Sequence, residues 1–529
     1  MTQWVWTWGQ FLDHTFGLAQ GGGASAPISF DAGDPLESFR NDFGYIPFSR
    51  DAAATGTGTS RANPRQQLNT VSSFIEGSAV YGDDATRLEW LREGPVDGSL
   101  ADNGPRLILT ADGYLPTASA RGDAATAPEM AVDGALAGHP HDAVVAGDVR
   151  ANENLALTAT HTLFAREHDR IVSALPASLP AEQRFEIARR VVGAEEQYVT
   201  YNEFLPAVGV RLSPYRGYRP DVNPSLGNEF ATVAYRAHSM IHGEFEIDAA
   251  AAGYTAARLA ALEAGGIEVE HLGGGRLTFV VPLGVAFFNP DLVPELGLGP
   301  ILAGLAGESQ YRNDEQIDNA LRSLLFQVPG PGSQGVIDLG ALDVQRGRDH
   351  GMPGYNALRR AYGLAPRRTF AEITGERSSR FPADPQIDPA DPIDDPDILD
   401  FTALFDAAGN PIAPGSDAAA DEATNGVRRA PLAARLRAIY GDVDRVDAFV
   451  GMVSEPHPHG GELGQLQAAI WRRQFEALRD GDRFFYLNDP ALERIRQRYG
   501  ISYRHSLAEL IALDSDVPLS ALPADVFRP

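Results

Sequence analysis

Cysteine is absent from all 529 residues. Disulfides, iron–sulfur clusters, thiolate ligation of iron and cysteine-based zinc sites are thereby excluded. Long apolar runs are also missing. No stretch reaches the roughly 18 apolar residues that a membrane-spanning helix requires. Basic residues are in deficit, 44 against 71 acidic, which leaves a formal net charge of −27. Such a surface repels nucleic acid and anionic lipid, and it repels anionic substrates unless arginines line the site. No internal repeat is visible, nor any signal peptide with basic and apolar regions.

The hydrophobic content, 43%, suits a globular chain with a sizeable core. Turn chemistry predicts surface loops near 21–27, 52–64, 118–141, 376–397 and 410–425, the fourth dense in Asp-Pro pairs. None is a firm domain boundary. Between them helix signals dominate. One helix is predicted from Pro180 towards Pro206 on Phe185, Ala188, Val192 and Val199. A second is predicted through Phe230, Val233, Ala234, Ala237 and Ile241, on an unbroken helical spacing. Others follow over 472–479 and 507–513, and the best strand is 276–281. The expected class is mainly α, a single large domain over 1–529.

Chemistry concentrates at three places. In Trp8-Gly9-Gln10-Phe11-Leu12-Asp13-His14, helical spacing puts Gln10, Asp13 and His14 on one edge, while Trp4, Trp8, Phe11 and Leu12 form an apolar face. His238 lies on the stripe of the second helix. Alone it reads more readily as a core histidine than as an axial iron ligand. A ligating histidine needs an acceptor for its other ring nitrogen, and Asp343 offers one, although it reads equally as a cap. Arg150 and Glu153 stand one turn apart before a helix through Leu155, Ala159, Leu163 and Phe164, where an intrahelical pair is the plainer reading. His161 and His168, on that helix, read as structural.

Together these segments resemble the animal haem peroxidases of the peroxidase–cyclooxygenase superfamily. The resemblance is carried, in family order, by Trp8 to His14, Ser73-Phe74-Ile75-Glu76-Gly77-Ser78-Ala79-Val80-Tyr81-Gly82, Ala146-Gly147-Asp148-Val149-Arg150 and Arg166-Glu167-His168. It continues in Tyr235-Arg236-Ala237-His238, Gln345-Arg346-Gly347-Arg348-Asp349-His350-Gly351-Met352-Pro353-Gly354-Tyr355-Asn356 and Arg479-Asp480-Gly481-Asp482-Arg483-Phe484. It implies a mainly α fold with haem between distal and proximal helices. His14 would be the distal histidine, moving a proton within hydrogen peroxide. Arg150 would stabilise the departing oxygen, and Gln10 would orient distal water or halide. His238 would be the proximal ligand, supported by Asp343, with Arg236 or Arg346 pairing with a haem propionate. Asp13 and Glu153 match the carboxylates that form ester bonds to haem b in many members. Asn154 stands where one branch has a methionine linked to haem, so a third link is not expected. The implied reaction reduces peroxide through a ferryl intermediate and oxidises halides, thiocyanate or small phenols.

Three departures from the family pattern matter. Asp343 replaces the usual Asn, and a carboxylate there would lower the iron potential and stabilise the high-valent state. The implied calcium site (Thr15, Ser72, Phe74, Glu76, Ser78) has Thr15 in place of an Asp and Glu76 in place of a shorter carboxylate, so any calcium is expected to be weakly held. Tyr235, three residues before His238, occupies the position of the radical tyrosine in cyclooxygenases and fatty-acid dioxygenases. A dioxygenase using a Tyr235 radical is therefore the alternative, and an adhesion or matrix module keeping only the fold is the lesser one. Family members carry sequence before the distal helix, so natural N-terminal sequence is expected to be missing here. Acidity without cysteine fits a secreted bacterial protein, and an intracellular one could share that composition. Oligomeric state is not legible.

Overall fold

The computed structural model describes residues 1–30, 43–325, 327–330, 333–416, 418, 419 and 423–528. Residues 417 and 420–422 of the predicted loop 410–425 lie outside them. The first helix, α1 (Trp4–Phe16), is buried on nearly every side. Trp8 and Phe11 pack on Phe164, with the Phe11 and Phe164 rings stacked at 5.2 Å. Trp8 also meets Phe527 edge-on at 6.4 Å, and Trp4 Nε1 donates to the Leu302 carbonyl at 3.0 Å. Burying each large aromatic contributes about 2–3 kcal/mol, so α1 is held by its apolar side chains against Phe164 and the C-terminal Phe527. Only the edge carrying Gln10 and Asp13 keeps some accessible surface.

The central pair is α2 (Leu155–Ala174) and α3 (Ala181–Val199). The Asn154 side chain caps α2 by accepting from the Leu157 amide at 2.9 Å. α3 starts after Pro180 as predicted. It runs into a π-helical turn, Thr200–Phe204, before ending at Leu205–Ala207. The predicted loop 118–141 is built of short 3₁₀ turns.

The helix predicted through Ile241 is not continuous. A π-helical turn covers Phe230–Ala234, the backbone leaves helical geometry at Tyr235 (ψ 39°) and Ala237 (φ −132°), and a single 3₁₀ turn covers His238–Met240. The apolar spacing was read correctly, because Phe230, Val233 and Ala234 are buried. The break is imposed by packing: the Ala234 carbonyl is taken by Gln467 at 2.9 Å and by Trp471 at 2.7 Å instead of a later amide.

A three-stranded antiparallel sheet follows, with β3 (Arg276–Pro282) between β1 (Glu244–Ala250) and β2 (Glu268–Gly273), and with Phe245 opposite Val281 and Ile247 opposite Phe279. The remaining elements needed here are α4 (Leu339–Asp349), α5 (Gln465–Asp480) and α6 (Leu507–Asp514). Among the described residues no helix is long and apolar enough to cross a membrane.

Candidate haem site

The distal group forms where α1 meets the loop before α2. His14 is buried, 3% exposed, and its Nδ1 has no hydrogen-bond partner. Burial, followed by the field of Arg150, holds its pKa well below the ordinary histidine value. The imidazole is therefore neutral and ready to accept a proton. Arg150 reaches α1, donating to the Gly17 carbonyl at 2.8 Å and lying 3.4 Å from Asp13 Oδ2. The nearby Asp148 carboxylate keeps the guanidinium firmly charged.

Asp148 is the functional neighbour that sequence reasoning passed over. It accepts from the Arg150 amide at 2.8 Å, from its Nε at 2.9 Å and from its second terminal nitrogen at 2.8 Å. Its Oδ1 lies 3.5 Å from His14 Nδ1. The signal was present in the quoted Gly147-Asp148-Val149-Arg150, but spacing alone does not say that the chain turns so that both side chains point the same way.

Gln10 links two groups, donating to Glu153 Oε2 at 2.8 Å and accepting from Asn154 Nδ2 at 2.8 Å. Glu153 Oε2 also stands 3.6 Å from His14 Nε2. Its carboxyl is pushed up to about 7 by burial, yet 30% of the side-chain surface is accessible. A carboxyl deep in the protein but still accessible fits the wall of a ligand slot. Asp13, 23% exposed, and Arg150, 14% exposed, share that accessibility.

On the other side, His238 Nδ1 and Asp343 Oδ2 are 2.7 Å apart, with Asp343 fully buried on α4. This contact leaves His238 Nε2 free to bind a metal. Arg236 and Arg346 sit close enough that each feels the other's charge, and Arg346 is lowered by burial and then by Arg236. Among the described residues neither forms an ion pair. Two guanidiniums left together in a buried place form a receptor for two carboxylates. The two sides meet through Phe16 and Tyr235, whose rings are 5.4 Å apart. A free imidazole nitrogen, a paired cationic receptor and two slot-lining carboxyls suit a haem with its propionates.

His161 and His168 are structural, as expected. The His161 ring packs edge-on against Phe11 at 5.2 Å, and His168 bridges Tyr81 Oη and the Pro105 carbonyl, each at 2.9 Å.

The five calcium-type positions come together, but their donors are spent internally. Thr15 Oγ1 donates to the Phe11 carbonyl at 3.0 Å, Ser78 Oγ donates to the Thr15 carbonyl, and Ser72 Oγ donates to Glu76 Oε1 at 2.5 Å. One carboxylate remains among them, which fits calcium poorly. Beside this loop Glu196 is fully buried and pushed up to about 8 by burial. Its folded pKa lies above the ordinary 4.5, so its stabilising effect is complete below about 4.5 and is lost as pH rises through about 8. Glu196→Gln is expected to melt progressively higher than the parent across that window. Parallel melting curves from about pH 5 to pH 9 would contradict the assignment.

The family model for animal haem peroxidase matches residues 1–382 and 418–527. Thyroid peroxidase of Canis lupus familiaris is 32% identical over 98% of this chain, and the chain spans about half of that relative's length (50%). Peroxidase A from Dictyostelium discoideum superposes with a TM-score of 0.74 at 26% identity, covering 100% of this chain and 87% of that one. A fatty acid alpha-dioxygenase from Oryza sativa superposes with a TM-score of 0.67 over 100% of this chain and 77% of its own, at 17% identity, which is a likeness of fold alone. With a matched segment spanning almost all of its length, this chain belongs to the animal haem peroxidase family.

Proposed function

We propose that residues 1–529 form a haem peroxidase domain that reduces hydrogen peroxide and oxidises halides, thiocyanate or small phenols. The reading is carried by one observation: the neutral, buried imidazole of His14 lies in the fields of the charged Arg150 and of Arg236, two residues before the His238 that pairs with Asp343. His238, with Arg236 and Arg346, would hold haem b, which would supply a redox-active iron.

The chain's own residues do the proton work. His14 accepts the first peroxide proton and delivers it to the oxygen that leaves. Arg150 stabilises the negative charge on that oxygen, and Asp148 keeps the guanidinium oriented. Gln10 ties Glu153 in place beside His14. Asp13 and Glu153 are the proposed ester partners of the haem. Calcium is not part of this reading.

Mass spectrometry under denaturing conditions, with and without prior peroxide, tests haem attachment. Retained haem mass is expected after peroxide, and it should fall in Asp13→Ala and Glu153→Ala. Stopped-flow mixing with peroxide should give an oxidised haem spectrum that iodide or a phenol discharges.

The dioxygenase reading draws on one feature. Among the described residues the buried Tyr235 hydroxyl has no partner, and its ring lies 4.5 Å from that of Trp471. Oxygen uptake with a long-chain fatty acid, abolished by Tyr235→Phe, would replace the peroxidase reading. A protein that takes up no haem would favour an adhesion or matrix module.

A further inference from the structure

Remote from this slot, α2, α3 and the C-terminal segment bury a second group of ionisable side chains. Glu167 on α2 and Glu195 on α3 are fully buried, and Asp514 at the end of α6 is 8% exposed. His505, just before α6, is 23% exposed, and its Nδ1 lies 2.8 Å from Glu195 Oε1. Arg170 holds both oxygens of Glu167 at 2.6 Å and lies 3.9 Å from Asp514 Oδ1. Three carboxylates thus gather around Arg170, with Arg166 also acting on Asp514, a formal surplus of one negative charge while His505 is neutral. Such a surplus must be offset by a bound proton or by a cation.

The unpaired atoms show where that charge is missing. Glu195 Oε2, on a residue with no exposed surface, receives a hydrogen bond from no donor among the described residues. Asp514 Oδ2 is likewise without a donor. One donor atom each from Glu167, Glu195 and His505 fall within 4.8 Å of one another. Ligands on opposite sides of a small divalent cation stand about 4 Å apart, so this is the span of one coordination shell. The bidentate contact with Arg170 does not exhaust Glu167, because a carboxylate offers about four lone-pair positions. The partly exposed His505 gives a route for entry.

We propose that Glu167, Glu195 and His505 bind a divalent cation of the manganese or zinc kind, with Asp514 completing the charge balance. Carboxylate oxygens with one imidazole nitrogen favour these ions over calcium. The ligands come from α2, α3 and the segment leading into α6. The cation therefore clamps the C-terminal segment onto the central helix pair, and it has no part in the haem chemistry.

The test uses the full-length, haem-loaded protein, stripped with EDTA, dialysed and titrated with MnCl2 at about pH 7.5, where the ligands compete best with protons. Calorimetry and loss of the free Mn2+ paramagnetic resonance signal should both report one site. Occupancy should raise the melting temperature. Glu195→Gln should abolish binding. His505→Asn, on a partly exposed residue that keeps the fold testable, should weaken it by more than about tenfold. Glu270→Gln, exposed on β2, should leave it unchanged. Failure of both Mn2+ and Zn2+ to bind at about millimolar concentration would overturn the proposal and leave shared protons as the counter-charge. Binding that survives both Glu195→Gln and His505→Asn would overturn it equally.

Discussion

His14→Ala is expected to slow the reaction with hydrogen peroxide roughly a thousandfold, within the range that a positioned acid–base group supplies. Peroxide must lose a proton from one oxygen while the other oxygen gains one, and a group that does both must be neutral beforehand. Burial and the charge of Arg150 keep His14 in that state. Before any ester forms, the Glu153 carboxyl, 3.6 Å from His14 Nε2 and pushed up to about 7, is the next available proton carrier. In the histidine variant, the residual rate should therefore change with pH near 7, reporting Glu153. Stopped-flow rates measured against peroxide concentration and pH check both statements. A loss smaller than about tenfold would show that His14 is not the proton carrier.

Asp343→Ala is expected to lower haem affinity by roughly 10–100-fold, the usual cost of removing the partner of a ligating histidine. The 2.7 Å contact sets which His238 nitrogen carries the proton and fixes the ring's orientation. Without the carboxylate the ring can turn, and Nε2 is no longer held towards the slot. Asp343→Asn keeps an acceptor but removes the charge, so it should retain haem better and raise the iron potential. Transfer of haem to a competing apoprotein, measured on protein not exposed to peroxide, together with a redox titration, separates these outcomes. Equal retention and potential in all three proteins would mean that Asp343 does not act on His238.

Much of the site was legible because its signals are local. Gln10, Asp13 and His14 lie within five residues on one helix, so helical geometry alone puts them on one edge. The start of α3 was legible for the same reason, being set by Pro180. Local spacing failed at 230–241. The apolar period continued there, while the backbone exchanged its own hydrogen bonds for contacts with Gln467 and Trp471, more than 200 residues away. The strands β1 and β2 were missed because their pairing partner, β3, decides them more than their own composition does.

By itself the sequence determined the mainly α class, the order of the motifs and the identity of the side chains able to carry the chemistry. Those properties follow from residue type and short-range geometry. Tertiary structure alone decided that Asp148 holds Arg150, that Arg236 and Arg346 come together, and that the Thr15 and Ser78 hydroxyls are spent on backbone carbonyls. It also decided that Glu167, Glu195 and His505, separated by 310 residues at the widest contact, share one buried place. Charges and hydrogen-bond partners act through space, and the distances that set their strength exist only once the chain has folded.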